Sequence, residues 1–321
     1  MRIKEIKPHA RHAFTELLLA VVILLTSCVK RDLEMRPNEV DRYIRLWAVV
    51  NTPDGVSSKA AVNTGDVFEA SVAGWETSGT VDYATAYTWL SSAEVTASIV
   101  GKELVLCPVQ TYAKDPMVIT YKKAWYPQGT LSDNGQVTFA GDSPFTPNGT
   151  MDVLLASAIS GAVNDPTGHK ILSFVRPLIQ LKFKIRKGNS FSGNVTLTSI
   201  KVKDARLPMG IDLTTDTVVY SVAANLIVPA ISGAAITPTL CTVGDPVMVK
   251  PFPGRSCSLE VITSTSTYSD IAVVIDEDNS FVPGKAYTIT LCFDREDKIT
   301  TGSVVDEWSS GATGEGDMNK P

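Results

Sequence analysis

The chain has 321 residues, 29 Lys and Arg against 34 Asp and Glu, and a formal net charge of −5. That balance, with no basic patch interleaved with aromatics, argues against a nucleic-acid partner. Three histidines and no Cys-x-x-Cys pair argue against a metal centre or cofactor, and the length allows two ordinary domains.

The N-terminal eleven residues carry Arg2, Lys4, Lys7 and Arg11 against one acid, Glu5. An uninterrupted apolar stretch follows at residues 17–25. It is too short to span a bilayer, which needs about 20 apolar residues. A basic start, a short apolar core and small residues before a cut site are the pattern of a secretory signal peptide. The segment Leu25-Thr26-Ser27-Cys28 resembles the lipobox of bacterial lipoproteins. The resemblance implies that Cys28 carries a diacylglycerol thioether and becomes the mature N-terminus. Residues 1–27 are then a lipoprotein signal peptide and residues 28–40 a polar tether containing Pro37. More than one acyl chain, at about 0.8 kcal/mol per buried methylene, holds such a protein to a membrane without a transmembrane helix.

Beyond the tether the dominant signal is period-two alternation, the mark of half-buried strands. Tyr43 to Val50 reads as a strand with apolar residues on both faces, as in a buried strand. "NTPDG" breaks it, since Pro53 and Gly55 are turn residues. "SSKAAVNTG" follows as a small-residue loop of the kind proteases cut. "VFEASVAGW" places Phe68, Ala70 and Val72 on one face. "TLSDNGQVTF" holds Asn134-Gly135 between two strand-like arms, a strong hairpin cue. "MDVLLASAISGAV" fits either a helical turn or two or a buried strand ending near Ser157. "SGAVNDPTGHK", Ser160 to Lys170, is turn-rich and is the expected linker. "LIQLKFKIR" sends Ile179, Leu181, Phe183 and Ile185 to one side and Gln180, Lys182, Lys184 and Arg186 to the other. Pro283-Gly284 punctuates the start of "AYTITLCF", with Tyr287, Ile289, Leu291 and Phe293 on one face. The reading is an all-β protein of two β-sandwich domains, residues 41–169 and 170–321. Cys107, Cys241, Cys257 and Cys292 allow three pairings, which sequence alone does not choose among. A chain of this size builds its core without staples, so mostly unpaired, buried cysteines are expected.

The search for chemistry yields little. His9 and His12 fall in the segment to be removed, and His169 stands alone in the expected linker. No Gly-x-Ser-x-Gly elbow, His-Glu-x-x-His helix or phosphate-cradling glycine loop is present. "DEDNS", Asp276 to Ser280, lacks the glycine and distal glutamate of a calcium loop and reads as a charged hairpin tip. Trp47, Trp75, Trp89, Trp125 and Trp308 read as packing residues before they read as a sugar platform. Nothing nominates a catalytic residue, and the chain is not read as an enzyme.

Four stretches in order resemble the fimbrillins, the lipoprotein pilins that build type V pili. They are the lipobox at Cys28, "MDVLLAS", "LSFVRPLIQLKFKI" and "VPGKAYTITLCFDREDKITTGSVVDEW". In the third, Arg176 stands where the family usually has histidine. The resemblance implies two transthyretin-like sandwiches and a cell-surface fimbrial subunit anchored in the outer membrane through Cys28. It implies a trypsin-like maturation protease that frees an N-terminal strand, and other pilin subunits as partners through β-strand complementation. Host or bacterial surface ligands are further partners it allows. Ser58-Lys59-Ala60 stands where the family's Thr-Arg-Ala cut site falls, with lysine replacing arginine. Lys59 is therefore the first candidate for processing; Arg42 and Arg45 are the others, expected within the first strand. The tail "SSGATGEGDMNKP" lacks the apolar alternation of a donated strand, which favours an accessory, tip or anchor role over shaft. The alternative reading is a monomeric surface lipoprotein that binds glycans.

Overall fold

The computed structural model describes residues 42–50, 62–139, 148–165, 170–275, 280–295 and 298–307. Cys28 and its tether, Lys59, His169, most of the Asp276–Ser280 cluster, and Trp308 with the tail lie outside them. Among the described residues there is no α-helix, and the fold is all-β.

The first half holds β1 (Leu46–Val50), β2 (Val67–Thr77), β3 (Trp89–Thr96), β4 (Lys102–Leu104), β5 (Leu106–Cys107), β6 (Ile119–Tyr126), β7 (Thr130–Leu131), β8 (Gln136–Thr138), β9 (Leu154–Gly161) and β10 (Lys170–Val175). Eight of these form one sheet in the order β4-β1-β10-β9-β6-β2-β3-β5. Its two end strands, β4 and β5, are separated in sequence by Val105 alone. One short segment thus pairs with β1 (Leu46 opposite Leu104) and then with β3 (Ser92 opposite Cys107). The sheet rolls up and joins its own ends. It encloses Leu46, Val50, Phe68, Val72, Val95, Leu172 and Phe174.

The second half holds β11 (Ile179–Lys187), β12 (Thr196–Ala205), β13 (Pro208–Asp212), β14 (Thr217–Tyr220), β15 (Ala224–Ile227), β16 (Ala234–Ala235), β17 (Cys241–Val249), β18 (Ser256–Thr263), β19 (Thr267–Val274), β20 (Lys285–Arg295) and β21 (Lys298–Glu307). A sheet ordered β17-β11-β20-β21 faces one ordered β15-β12-β18-β19, with β16 added beside β12. Between them lie Leu181, Phe183, Ile185, Ile200, Leu259, Ile289 and Phe293. The alternation in "LIQLKFKIR" therefore marks the core face. On one flank, Thr301 Oγ1 donates to the Ala272 carbonyl and Ser303 Oγ to the Val274 carbonyl, each at 2.9 Å. These hydroxyls cover carbonyls of β19 that an open edge would leave free.

A fourth sheet, β14-β13-β8-β7, takes two strands from each half. Its seam pairs Gly210 with Thr138, Ile211 with Val137 and Asp212 with Gln136. A Cβ at Gly210 would collide with the Val137 carbonyl oxygen, so glycine permits the close approach. Gly135, at φ +75°, turns the β7–β8 hairpin as Asn134-Gly135 predicts. Gly284, at φ +76°, does the same before β20. Beneath the fourth sheet, Trp75, Trp125, Leu155, Ile211, Leu213 and Met248 form a core drawn from both halves.

The structure departs from the expected linker. "MDVLLASAISGAV" is strand β9, which runs on past Ser157 to Gly161. β10 returns antiparallel to it, Val175 opposite Leu155, and also lies parallel to β1. Ser160 to Lys170 therefore connects two strands of one sheet. The sheets divide at residues 176–178, not at 169/170. Turn residues mark a hairpin tip as readily as a domain linker, which is why composition misplaced the boundary. Cys241, Cys257 and Cys292 are free thiols, in line with expectation. Burial pushes the Cys257 thiol up to about 12.

The core face of β11 sets a stability test. Phe183→Ala should cost about 3–5 kcal/mol, the usual range for aromatic truncation in a core. Lys182→Ala, on the other face, should stay within about 0.5 kcal/mol. Urea denaturation of both variants measures the difference; equal costs would overturn the face assignment.

Candidate assembly site

β1 is the strand of interest because both of its neighbours come from far along the chain. It lies parallel to β10 (Leu46 opposite Lys170, Val50 opposite Phe174) and antiparallel to β4 (Ala48 opposite Lys102). Leu46, Ala48 and Val50 are buried in the first core, and Trp47 and Val49 are half-buried. The strand thus has one core face and one covered face, more asymmetric than the expectation of two apolar faces.

Ahead of β1, residues 42–44 run beside 110–112. Tyr43 bridges Thr111, the Ile44 amide donates to the Gln110 carbonyl at 3.0 Å, and the Tyr112 amide donates to the Arg42 carbonyl at 2.9 Å. The Arg42 guanidinium donates in return to the Tyr112 carbonyl at 2.7 Å. Arg45 is exposed, pairs with Glu103 at 2.8 Å and lies over the Trp47 ring. Such a surface pair contributes little, about 0–1 kcal/mol. Arg42 and Arg45 therefore precede the strand rather than lie within it. The expectation erred because "RYIRLW" alternates like a strand before the sheet pairing begins at Leu46.

After β1, the first described residue is Val62, which is buried. Its amide donates to Asp152 Oδ2 at 3.0 Å, and its carbonyl accepts from the Arg176 guanidinium. Arg176 Nε also donates to Asp152 Oδ2 at 3.2 Å, and the Val153 amide donates to Oδ1 at 2.9 Å. The two side chains are 1 % and 2 % exposed. Burial raises the Asp152 carboxyl, while Arg176 and the two amides pull it back down.

Two lysines are buried side by side on β6, sent to opposite faces by the strand's alternation. Lys122 Nζ donates to the Thr120 carbonyl at 3.2 Å and to the Tyr112 hydroxyl at 3.4 Å. Lys123 Nζ donates to Asp216 Oδ1 at 2.6 Å and to the Leu213 carbonyl, and lies 3.9 Å from the Tyr83 ring centroid. It ties the first sheet to the β13–β14 turn. Among the described residues no group of three His, Cys, Asp or Glu could hold a metal ion. Trp75, Trp89 and Trp125 are buried, which removes them from any sugar platform.

The family model described as fimbrillin-like matches residues 111–308. The chain belongs to the fimbrillin-like family. That family is one of structural fimbrial proteins of the cell surface. No curated protein matches the sequence. Among solved structures, the chain is similar to a candidate cell adhesion protein from Bacteroides uniformis, at 15% identity and TM-score 0.52, over 83% of this chain and 99% of that one. It is also similar to the fimbrial anchor protein Mfa2 of Porphyromonas gingivalis, at 12% identity and TM-score 0.42, over 83% and 98%. A further similarity is to the tip fimbrial protein Mfa3 of the same organism, at 11% identity and TM-score 0.42, over 83% and 100%.

Of the candidate residues in this fimbrillin-like chain, the structure brings Arg42 and Arg45 to the start of β1. Cys28 and Lys59 lie outside the described residues. Sequence reasoning missed Lys122 and Lys123, although a Lys-Lys pair inside the aromatic strand "ITYKKAWY" was a usable signal. It quoted Asp152 and Arg176 without pairing them, because no periodicity links a residue before β9 to one after β10.

Lys122 generates a prediction. Burial lowers its amine from 10.5 to about 7, helped by nearby Lys170 and opposed by Glu76 and Asp165. Between those values the unfolded chain holds the proton and the folded chain does not. Stability should therefore rise with pH from about 7 towards 10.5, by up to about 1.4 kcal/mol per pH unit from this group. Lys122→Met should lack that slope and gain most at the low end. Denaturation of both proteins at several pH values measures it; parallel curves would refute it.

Proposed function

We propose that this fimbrillin-like protein is a surface fimbrial subunit, held in the outer membrane by lipid on Cys28 until a protease frees β1. The observation that carries the reading is the place of β1 in its sheet. It fills an interior position, between β4 and β10, with three core side chains, yet nothing local in sequence pairs with it. While the chain is continuous, residues 51–61 keep β1 at high effective concentration beside its groove. Cutting that connection makes the contact intermolecular and exchangeable. Losing β1 bares the inner edges of β4 and β10 and an apolar floor, the template a second strand completes. The replacement must be parallel to β10 and antiparallel to β4, with apolar side chains at the alternate positions of Leu46, Ala48 and Val50. Head-to-tail exchange of this kind does not close and builds a fibre.

The candidate cut sites differ in consequence. A cut after Arg42 or Arg45 releases the tether and leaves β1 seated. A cut after Lys59 detaches β1 and its lipid together. An arginine-specific protease has no reason to accept Lys59, because the guanidinium fork and the ammonium point charge are not interchangeable. The reading therefore names a trypsin-like protease that accepts lysine. The composition of residues 309–321 supports an accessory, tip or anchor position. The burial of three tryptophans gives less support to a monomeric glycan-binding lipoprotein.

Limited trypsin digestion of the folded protein should cut first after Lys59, give a new N-terminus at Ala60 and be followed by heat-resistant ladders. Early cuts scattered through the two sandwiches, or a nicked protein that stays monomeric, would sink the strand-exchange reading. Cys28→Ser should move the protein from membranes to the soluble fraction and abolish labelling by a palmitate analogue. Unchanged membrane association would overturn the anchor.

A further inference from the structure

We propose that the buried Asp152–Arg176 pair is a seat for the chain end: it grips the main chain at Val62 by both its N–H and its C=O, so that a cut upstream frees β1 and leaves everything downstream fixed. Val62 lies in no strand, and β2 does not begin until Val67. No sheet ladder holds it. Its amide and carbonyl are bound by two side chains that bracket the β9–β10 hairpin. The carboxylate accepts from Val62, Val153 and Arg176. A buried ion pair is costly unless its remaining hydrogen-bonding capacity is filled by further partners. Here two of those partners are main-chain amides, one of them Val62's own. Burial of the pair and capture of Val62 are therefore one arrangement.

The hold on the other side of β1 is weaker. Arg42 and Tyr112 exchange main-chain contacts where Arg42 is half-buried, and Arg45 meets Glu103 in water. A cut within residues 51–61 thus falls between a shallow hold and a deep one. The next contacts downstream are surface ones: the Asn63 amide to Asp66 Oδ2 at 2.8 Å and the Gly65 amide to the Ala97 carbonyl at 2.8 Å. Without the seat, the chain ahead of β2 would keep surface contacts such as these and lose the buried polar hold on Val62. It would then be free to lie back across the groove that β1 vacates.

The use of this seat rests on the maturation reading; its existence does not, and the test separates the two. Hydrogen exchange is measured on the intact mature protein in detergent, for wild type, Arg176→Lys and Asp152→Asn. Arg176→Lys keeps the charge and loses the fork; Asp152→Asn keeps the shape and loses the charge. Each variant should speed exchange of the Val62 segment on the order of tenfold, about 1.4 kcal/mol, with peptides from β11 unchanged. The same proteins are then nicked with trypsin and treated with an aminopeptidase. Wild type should stop losing residues at or before Val62, and the variants should be trimmed on towards β2. Equal exchange at Val62 in all proteins, or equal trimming, overturns the seat. A chain that resists cutting at Lys59 but shows the exchange difference keeps the seat and defeats the maturation reading.

Discussion

The first sandwich depends on pairing a five-residue strand with partners that lie far along the chain. Non-local pairing needs long loops closed before any hydrogen bond is gained. The burial of Leu46, Ala48 and Val50 is what offsets that cost in β1. Elsewhere the protein manages its strand edges. The β4–β5 segment joins the two ends of the rolled sheet, hydroxyls of β21 cover β19, and main-chain contacts from Met248 to Gly149 and from Asp245 to Pro229 occupy the outer side of β17. An edge is a hazard when it is permanent. The edges beside β1 would arise only if β1 were absent, which under the proposed strand exchange is when a partner strand needs them.

The sheet shared between the halves gives the molecule a second constraint. β7 and β8 come from the first half, yet they pair with β13, and Lys123 reaches from β6 to Asp216 and the Leu213 carbonyl. Interfaces between domains of one chain are by default small and yielding. Here a continuous ladder and an apolar core with Trp75, Trp125 and Met248 replace such an interface. Load placed on one half passes through backbone hydrogen bonds to the other. A subunit in a fibre benefits from that property whatever its position.

Much of this architecture can be read in the residues. "LIQLKFKIR" and "AYTITLCF" show their core faces by alternation, and Asn134-Gly135 and Pro283-Gly284 mark real turns. These signals are local, and local sequence decides them. The boundary at residues 176–178 is not local. It depends on β10 returning to the first sheet, a pairing between residues distant in sequence. The shared sheet was hidden for the same reason. β7 and β8 read as a hairpin, and nothing in "TLSDNGQVTF" says that its partner is Pro208–Asp212. At the site, alternation in "RYIRLW" carried the strand back over Arg42 and Arg45, where the structure has an isolated bridge at Tyr43 and irregular chain instead. The Asp152–Arg176 pairing was not legible because the two residues are distant in sequence and their remaining partners are main-chain groups.

The buried charges show how unevenly the molecule distributes its polar costs. Lys122, Lys123, Asp152 and Arg176 are all buried, and all belong to the first half or its border; among the described residues the second core buries no charged side chain. A buried charge is rarely the cheapest way to stabilise a fold, since apolar residues of similar shape often do as well or better. Its advantage is directional: it fixes a partner at one place. Lys123 fixes the β13–β14 turn against β6. Asp152 and Arg176 fix Val62. Lys122 reaches Tyr112, whose main chain holds Arg42 at the start of β1. The second sandwich, built around apolar contacts, has no comparable need to hold a particular chain segment. Under the proposed strand exchange, Lys122, Asp152 and Arg176 stand beside the chain segments that flank β1.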